Sequence, residues 1–97
     1  MEEFKGTRGP WFRDNSRAIG PKSREDDQSY GMVIPVGWVE FNPEIEVQVA
    51  NQQIMASAPE LLKVLQKTMD EIGHWLSQQK PELREEMIAA IAKALGK

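Results

Sequence analysis

Three proline–glutamate pairs punctuate the chain after residue 42: Pro43-Glu44, Pro59-Glu60 and Pro81-Glu82. Proline is tolerated in the first turn of an α-helix, where its missing N–H is not needed, and is disfavoured further in. A carboxylate beside it suits the positive end of the helix dipole. Each pair therefore opens a helix, and Pro59 also breaks the one before it. The spacing predicts helices over 43–57, 59–78 and 81–95.

Apolar residues recur at helical spacing inside these spans. Val47, Ala50, Ile54 and Ala58 share a face of the first helix, which Asn42 caps. Leu61, Leu62, Leu65, Met69, Ile72 and Leu76 form a stripe on the second, where Gly73 marks a close packing contact or a weakened last turn. Leu83, Met87, Ala90, Ile91, Ala94 and Leu95 face inward on the third, and Gly96 suits its C-terminal cap. Residues 44–49 carry a conflicting signal, because Ile45, Val47 and Val49 alternate with Glu46 and Gln48 as in a strand. The Asn-Pro-Glu start decides for helix.

The N-terminal part reads differently. Residues 1–9 form a loose lead-in. Pro10–Gly20 has the pattern of a β-hairpin, with Trp11 and Phe12 leading in, turn chemistry at Asp14-Asn15-Ser16, and Arg17-Ala18-Ile19 returning. Residues 20–29 hold no apolar side chain and predict a mobile surface loop. Residues 30–41, rich in Val, Ile and aromatics, predict a third strand. Pro35 and Gly37 place that strand at an edge or bulge it near Pro35-Val36-Gly37. The expected architecture is a single α+β domain over 1–97, a small three-stranded antiparallel sheet followed by three α-helices. In 97 residues the core is thin, so a partner or a second copy adds stability.

Several chemistries are hard to build from this composition. There is no cysteine, which removes disulfides, thiolate zinc sites and cysteine nucleophiles. The single histidine, His74, lacks a local nucleophile and an orienting group, and one histidine does not make a zinc set. Glu25-Asp26-Asp27 lacks the spacing of a calcium loop. Glu82, Glu85 and Glu86 read as a hydrated helix face. No phosphate-cradling glycine loop is present. The expectation is therefore no enzyme, no catalytic residue, no cofactor and no metal. No stretch approaches the ~18 apolar residues of a membrane span, and the acidic start MEEFKGTRGPW is not a secretory signal.

Binding is the remaining class. Net charge is −3, yet residues 1–24 carry Lys5, Arg8, Arg13, Arg17, Lys22 and Arg24, while residues 25–48 carry six carboxylates and no cation. Arg8, Trp11, Arg13 and Arg17 interleave basic and aromatic groups, which fits contact with nucleic acid. Pairing with the acidic middle and burial of Trp11 explain the same residues. Of the three tryptophans, two fill such a core, which leaves Trp75, beside His74, as the anchor for a protein partner. The candidate partner-binding residues are Trp75, His74, Arg13 and Arg17. The apolar third helix is a second docking element, for a partner or another copy in a homodimer.

Two segments resemble a known group. Gly6-Thr7-Arg8-Gly9-Pro10-Trp11 is similar to the GTPGPW opening of small proteins encoded by tailed bacteriophages and prophages, with Arg8 where proline is usual. Ala50–Leu62, ANQQIMASAPELL, resembles their ANAxLIAAAPELL signature, with departures at Gln52, Met55 and Ser57. The resemblance spans roughly residues 6–66 and leaves out the third helix. It implies a phage or prophage accessory protein acting in a bacterial cytoplasm, and it brings no catalytic residues. The function expected on both grounds is binding of a host or phage protein, with modulation of host defence or metabolism. The alternative is a nucleic-acid-associated protein using the basic hairpin.

Overall fold

The computed structural model describes residues 3–23 and 31–97. The arrangement is α+β. Strands β1 (Phe12–Arg13), β2 (Ala18–Gly20) and β3 (Gly37–Trp38) form an antiparallel sheet in the order β1-β2-β3, followed by helices α1 (Ile45–Ala56), α2 (Ala58–Gln79) and α3 (Pro81–Ala94). The chain divides into two compact units, one of Thr7–Glu60 and one of Met1–Gly6 with Leu61–Lys97.

In the Thr7–Glu60 unit, β1 and β2 close through a four-residue turn. The Asp14 carboxylate accepts hydrogen bonds from Ser16 Oγ at 2.6 Å, Ser16 N–H at 2.8 Å and Ala18 N–H at 3.2 Å. Aspartate offers this local pairing readily, which is why it starts turns. Arg17 completes the turn in the left-handed region, at φ 71°.

The pairing of β2 with the chain ahead of β3 runs further than expected. Lys22 bridges Val33, Ser23 N–H donates to Met32 O at 2.8 Å, and Ile34 N–H donates to Pro21 O at 2.7 Å. Residues 20–23 are thus paired backbone and not loop. Between the Ile19–Gly37 and Lys22–Val33 pairings lie two residues, Gly20 and Pro21, against three, Ile34–Val36. That mismatch is a β-bulge at Pro35. It shortens the strand expected over 30–41 to Gly37–Trp38, since proline has no N–H for the ladder. The bulge also explains Gly20: a Cβ there would collide with Ile34 O and approach Val36 N to 2.9 Å. Residues 24–30, which hold most of the expected mobile loop and the start of the expected strand, lie outside the described residues.

Residues 44–49 adopt helix from Ile45 onward, so the alternating pattern does not make a strand. The capping position is Glu44, so Pro43 precedes the helix and Asn42 lies two residues before the cap. Its Oδ1 accepts from Glu44 N–H at 2.9 Å, while Gln48 Oε1 accepts from Asn42 N–H at 3.0 Å. The inward face of α1 differs from the expected one. Gln52 is buried, with Gln48, Val49 and Ala56 half-buried around it, whereas Val47, Ala50, Ile54 and Ala58 are exposed. The helix docks by hydrogen bonds from a polar side chain, which apolar periodicity does not detect.

The lead-in expected over 1–9 is partly tied down. Trp11 is half-buried and its indole N–H donates to Thr7 O at 3.1 Å. A Cβ on Gly9 would lie 2.7 Å from Pro59 Cβ, so glycine is required for that approach.

In the other unit, Met69, Leu76 and Ile91 form the buried cluster, with Leu62, Leu65, Met87 and Leu95 packed against it. Gly73 is buried, and a Cβ there would make ordinary contact with Met69 Cε at 3.6 Å. Leu61 and Ile72, expected in the core, are exposed, as are Leu83, Ala90 and Ala94 on α3. Met87, Ile91 and Leu95 face inward as expected, and Arg84 takes the place expected for Leu83 at the start of that row. The C-terminus of α3 closes with Gly96 at φ 80°, Gly96 N–H on Lys93 O at 3.1 Å and Lys97 N–H on Ala92 O at 2.8 Å. This is a Schellman cap, in which glycine takes the left-handed position.

Candidate functional site

The polar centre of the Thr7–Glu60 unit is Gln52, 1% exposed. Its Nε2 donates to Asp14 O at 2.8 Å and to Ala18 O at 2.9 Å, and its Oε1 accepts from Arg13 Nε at 3.1 Å. The partners fix the amide's orientation: two carbonyls accept only, and a guanidinium donates only. One side chain of α1 thereby satisfies both ends of the hairpin turn and holds Arg13.

That latch defines the two faces of the sheet. Residues directly opposite each other on paired strands project to the same side. Arg13, Ile19 and Gly37 are opposite one another and face α1, because Arg13 meets Gln52. Phe12 opposite Gly20, and Trp38 opposite Ala18, therefore lie on the outer side. Trp38 is 62% exposed there. Lys22 Nζ stands 4.5 Å from the centroid of the Phe12 ring, a cation–π distance. Met32, Ile34 and Val36, along the bulged segment, are exposed as well. The unit thus has one face latched by hydrogen bonds and, on the other, exposed Trp38 and Phe12 beside buried Ala18 and Gly20. Exposed apolar groups gathered in this way are characteristic of interaction surfaces.

The Asp14 carboxylate is held below the usual carboxylate range, first by Ser16 Oγ and then by the Ser16 and Ala18 N–H groups, with Arg13 adding a favourable charge. Its role is to order the turn that Gln52 grips.

The four residues expected to bind a partner fall in two places. Arg13 directs its Nε to Gln52, and Arg17 places Nη1 3.4 Å from Val39 O, so both contact their own unit. His74 and Trp75 lie on α2, both exposed, Trp75 at 54%. His74 Nε2 is 3.2 Å from Gln78 Nε2. Sequence reasoning missed Trp38 and Gln52. The signal for Trp38 was its place beside Gly37 and before Val39, which is buried. Gln52 was visible only as a departure from the resembled signature.

Among the described residues, no group of three or more His, Asp or Glu side chains is placed to hold a metal ion. No helix there is long and apolar enough to cross a membrane. An open hollow of about 430 Å³ lies between residues 3–6 and the end of α3, against Phe4 and Leu95.

A family model described as Salmonella phage P22 protein Y8K6 matches residues 1–97 of the chain. No curated protein and no solved structure matches it.

Proposed function

We infer that this chain, which belongs to the family of Salmonella phage P22 protein Y8K6, is a non-enzymatic accessory protein that binds a host or phage protein through the outer face of its sheet. Phe12 and Trp38 supply the aromatic anchors, and Lys22 stands over the Phe12 ring. One observation carries the reading: Trp38 stands in solvent on a face whose opposite side is fixed by the Gln52 latch. A rigid, pre-ordered aromatic surface loses little entropy on binding, and tryptophan is enriched where binding energy concentrates. On this reading the protein works in the bacterial host's cytoplasm and acts on host defence or metabolism. The nucleic-acid alternative has less support, because Arg13 and Arg17 contact groups of their own unit.

The test compares proteins captured from host lysate by the wild-type chain and by Trp38→Ala and Phe12→Ala. Both sites are exposed, so circular dichroism should show unchanged folding. The expected result is a defined protein enriched by wild type and depleted about tenfold or more in both variants, as for hot-spot residues. Equal capture by all three chains, or capture that nuclease treatment abolishes, overturns the reading.

A further inference from the structure

Helix α2 carries a second apolar row that its own unit does not bury. Leu61, Val64, Ile72 and Trp75 are all exposed, and Thr68 lies between them, half-buried. These positions follow one another at i+3, i+4, i+4 and i+3, so they line one face of the helix over roughly 20 Å. The buried row of the same helix, Leu62, Leu65, Met69 and Leu76, is displaced from it and serves the core. The exposed row is symmetric about Thr68. Reversing the helix about that residue sets Leu61 against Trp75, Val64 against Ile72, and Thr68 against itself. A surface that maps onto itself under a two-fold rotation is what an isologous dimer requires.

The charges beside the row point the same way. Glu71, Lys67 and Lys63 follow one another four residues apart on one side of it, each stepping further round the helix, and are exposed. In an antiparallel pair centred on Thr68, Glu71 of one helix falls between the positions of Lys63 and Lys67 on the other, and the symmetry makes that bracket twice. A parallel pair would carry the two borders to opposite flanks, where these charges do not meet. Thr68 suits the crossing point. It is small enough for close helix approach, and its Oγ1 already donates to Val64 O at 2.8 Å, so covering it strands no donor.

We propose that the chain forms an antiparallel homodimer through α2, with the two-fold axis at Thr68, apolar pairs Leu61–Trp75 and Val64–Ile72 on either side, and Lys63 and Lys67 closing on Glu71 of the second copy. Trp75 then anchors a second copy.

The chain has no cysteine, so Thr68→Cys places a single thiol at the axis. Under mild oxidation Thr68→Cys should yield a covalent species of twice 11.0 kDa, while Glu85→Cys, on α3, should not. In sedimentation equilibrium the wild type should dimerise. Glu71→Lys should weaken the dimer by about tenfold, as expected for two lost and reversed surface contacts, and the triple variant Lys63→Glu/Lys67→Glu/Glu71→Lys should restore it. A wild type that stays at 11.0 kDa at every concentration, equal cross-linking from both thiols, or no effect of Glu71→Lys overturns the proposal. A variant that loses helicity is read through the triple variant, whose failure to dimerise despite native helicity also overturns it.

Discussion

Replacing Gln52 by leucine should destabilise the Thr7–Glu60 unit by about 2–3 kcal/mol. The amide gives its two N–H groups to Asp14 O and Ala18 O and takes one from Arg13 Nε. Leucine has similar bulk but offers none of these. Ala18 O keeps only the longer bond from Asp14 N–H, at 3.4 Å. Each buried polar group left unpaired costs roughly 1–3 kcal/mol. Arg13 is half-buried and turns to water more cheaply. The burial of additional apolar surface in leucine returns roughly 1 kcal/mol. The net loss is a large share of the ~5–15 kcal/mol typical of a small protein. Glutamate at 52 keeps the shape more closely yet should be worse than leucine at neutral pH, because it sets a carboxylate oxygen against two carbonyls. Urea denaturation followed by far-ultraviolet circular dichroism gives the values. A leucine variant within about 0.5 kcal/mol of wild type, or a glutamate variant more stable than the leucine one, would refute the latch.

Other consequences are as specific. Gly20→Ala should cost about 3 kcal/mol or more, since its Cβ meets backbone at the bulge and not a movable side chain, while alanine at Gly37, where nothing lies within 4 Å of the added Cβ, should cost far less on the same assay. The depressed Asp14 carboxyl means its share of stability is present above the ordinary carboxylate range and is lost as pH falls through its lowered folded value. The protection of the turn amides against hydrogen exchange, relative to their intrinsic rates, should therefore fall below about pH 4, and Asp14→Asn should remove that step. Arg84 buries its Nε without a hydrogen-bond partner, so Arg84→Met should leave stability unchanged or raise it by up to ~1 kcal/mol in thermal denaturation.

The helix boundaries were legible because they rest on local chemistry. Pro59 and Pro81 lie in first turns, and Gly96 closes the last helix, each through an effect confined to a few residues. The bulge at Pro35 was legible for the same reason. What each helix buries was less so. On α1 an apolar row was expected inside, yet Gln52 is there, because three complementary hydrogen bonds from the hairpin outweigh the apolar row. On α2 two adjacent apolar rows share one helix, and periodicity alone does not choose between them. Leu61 and Ile72 belong to the exposed row, Leu62 and Met69 to the buried one. Trp38 escaped notice because a thin core is expected to absorb its tryptophans, whereas its pairing with Ala18 turns it away from α1.

The sheet face can be interrogated in the cell with a photo-crosslinking amino acid placed at position 38 and, for comparison, at exposed Lys93. Irradiation of host cells expressing each chain should give a discrete protein adduct from position 38 and none from position 93. Adducts that are absent at 38, the same at both positions, or made only to nucleic acid would contradict a protein-binding role for the Phe12–Trp38 face.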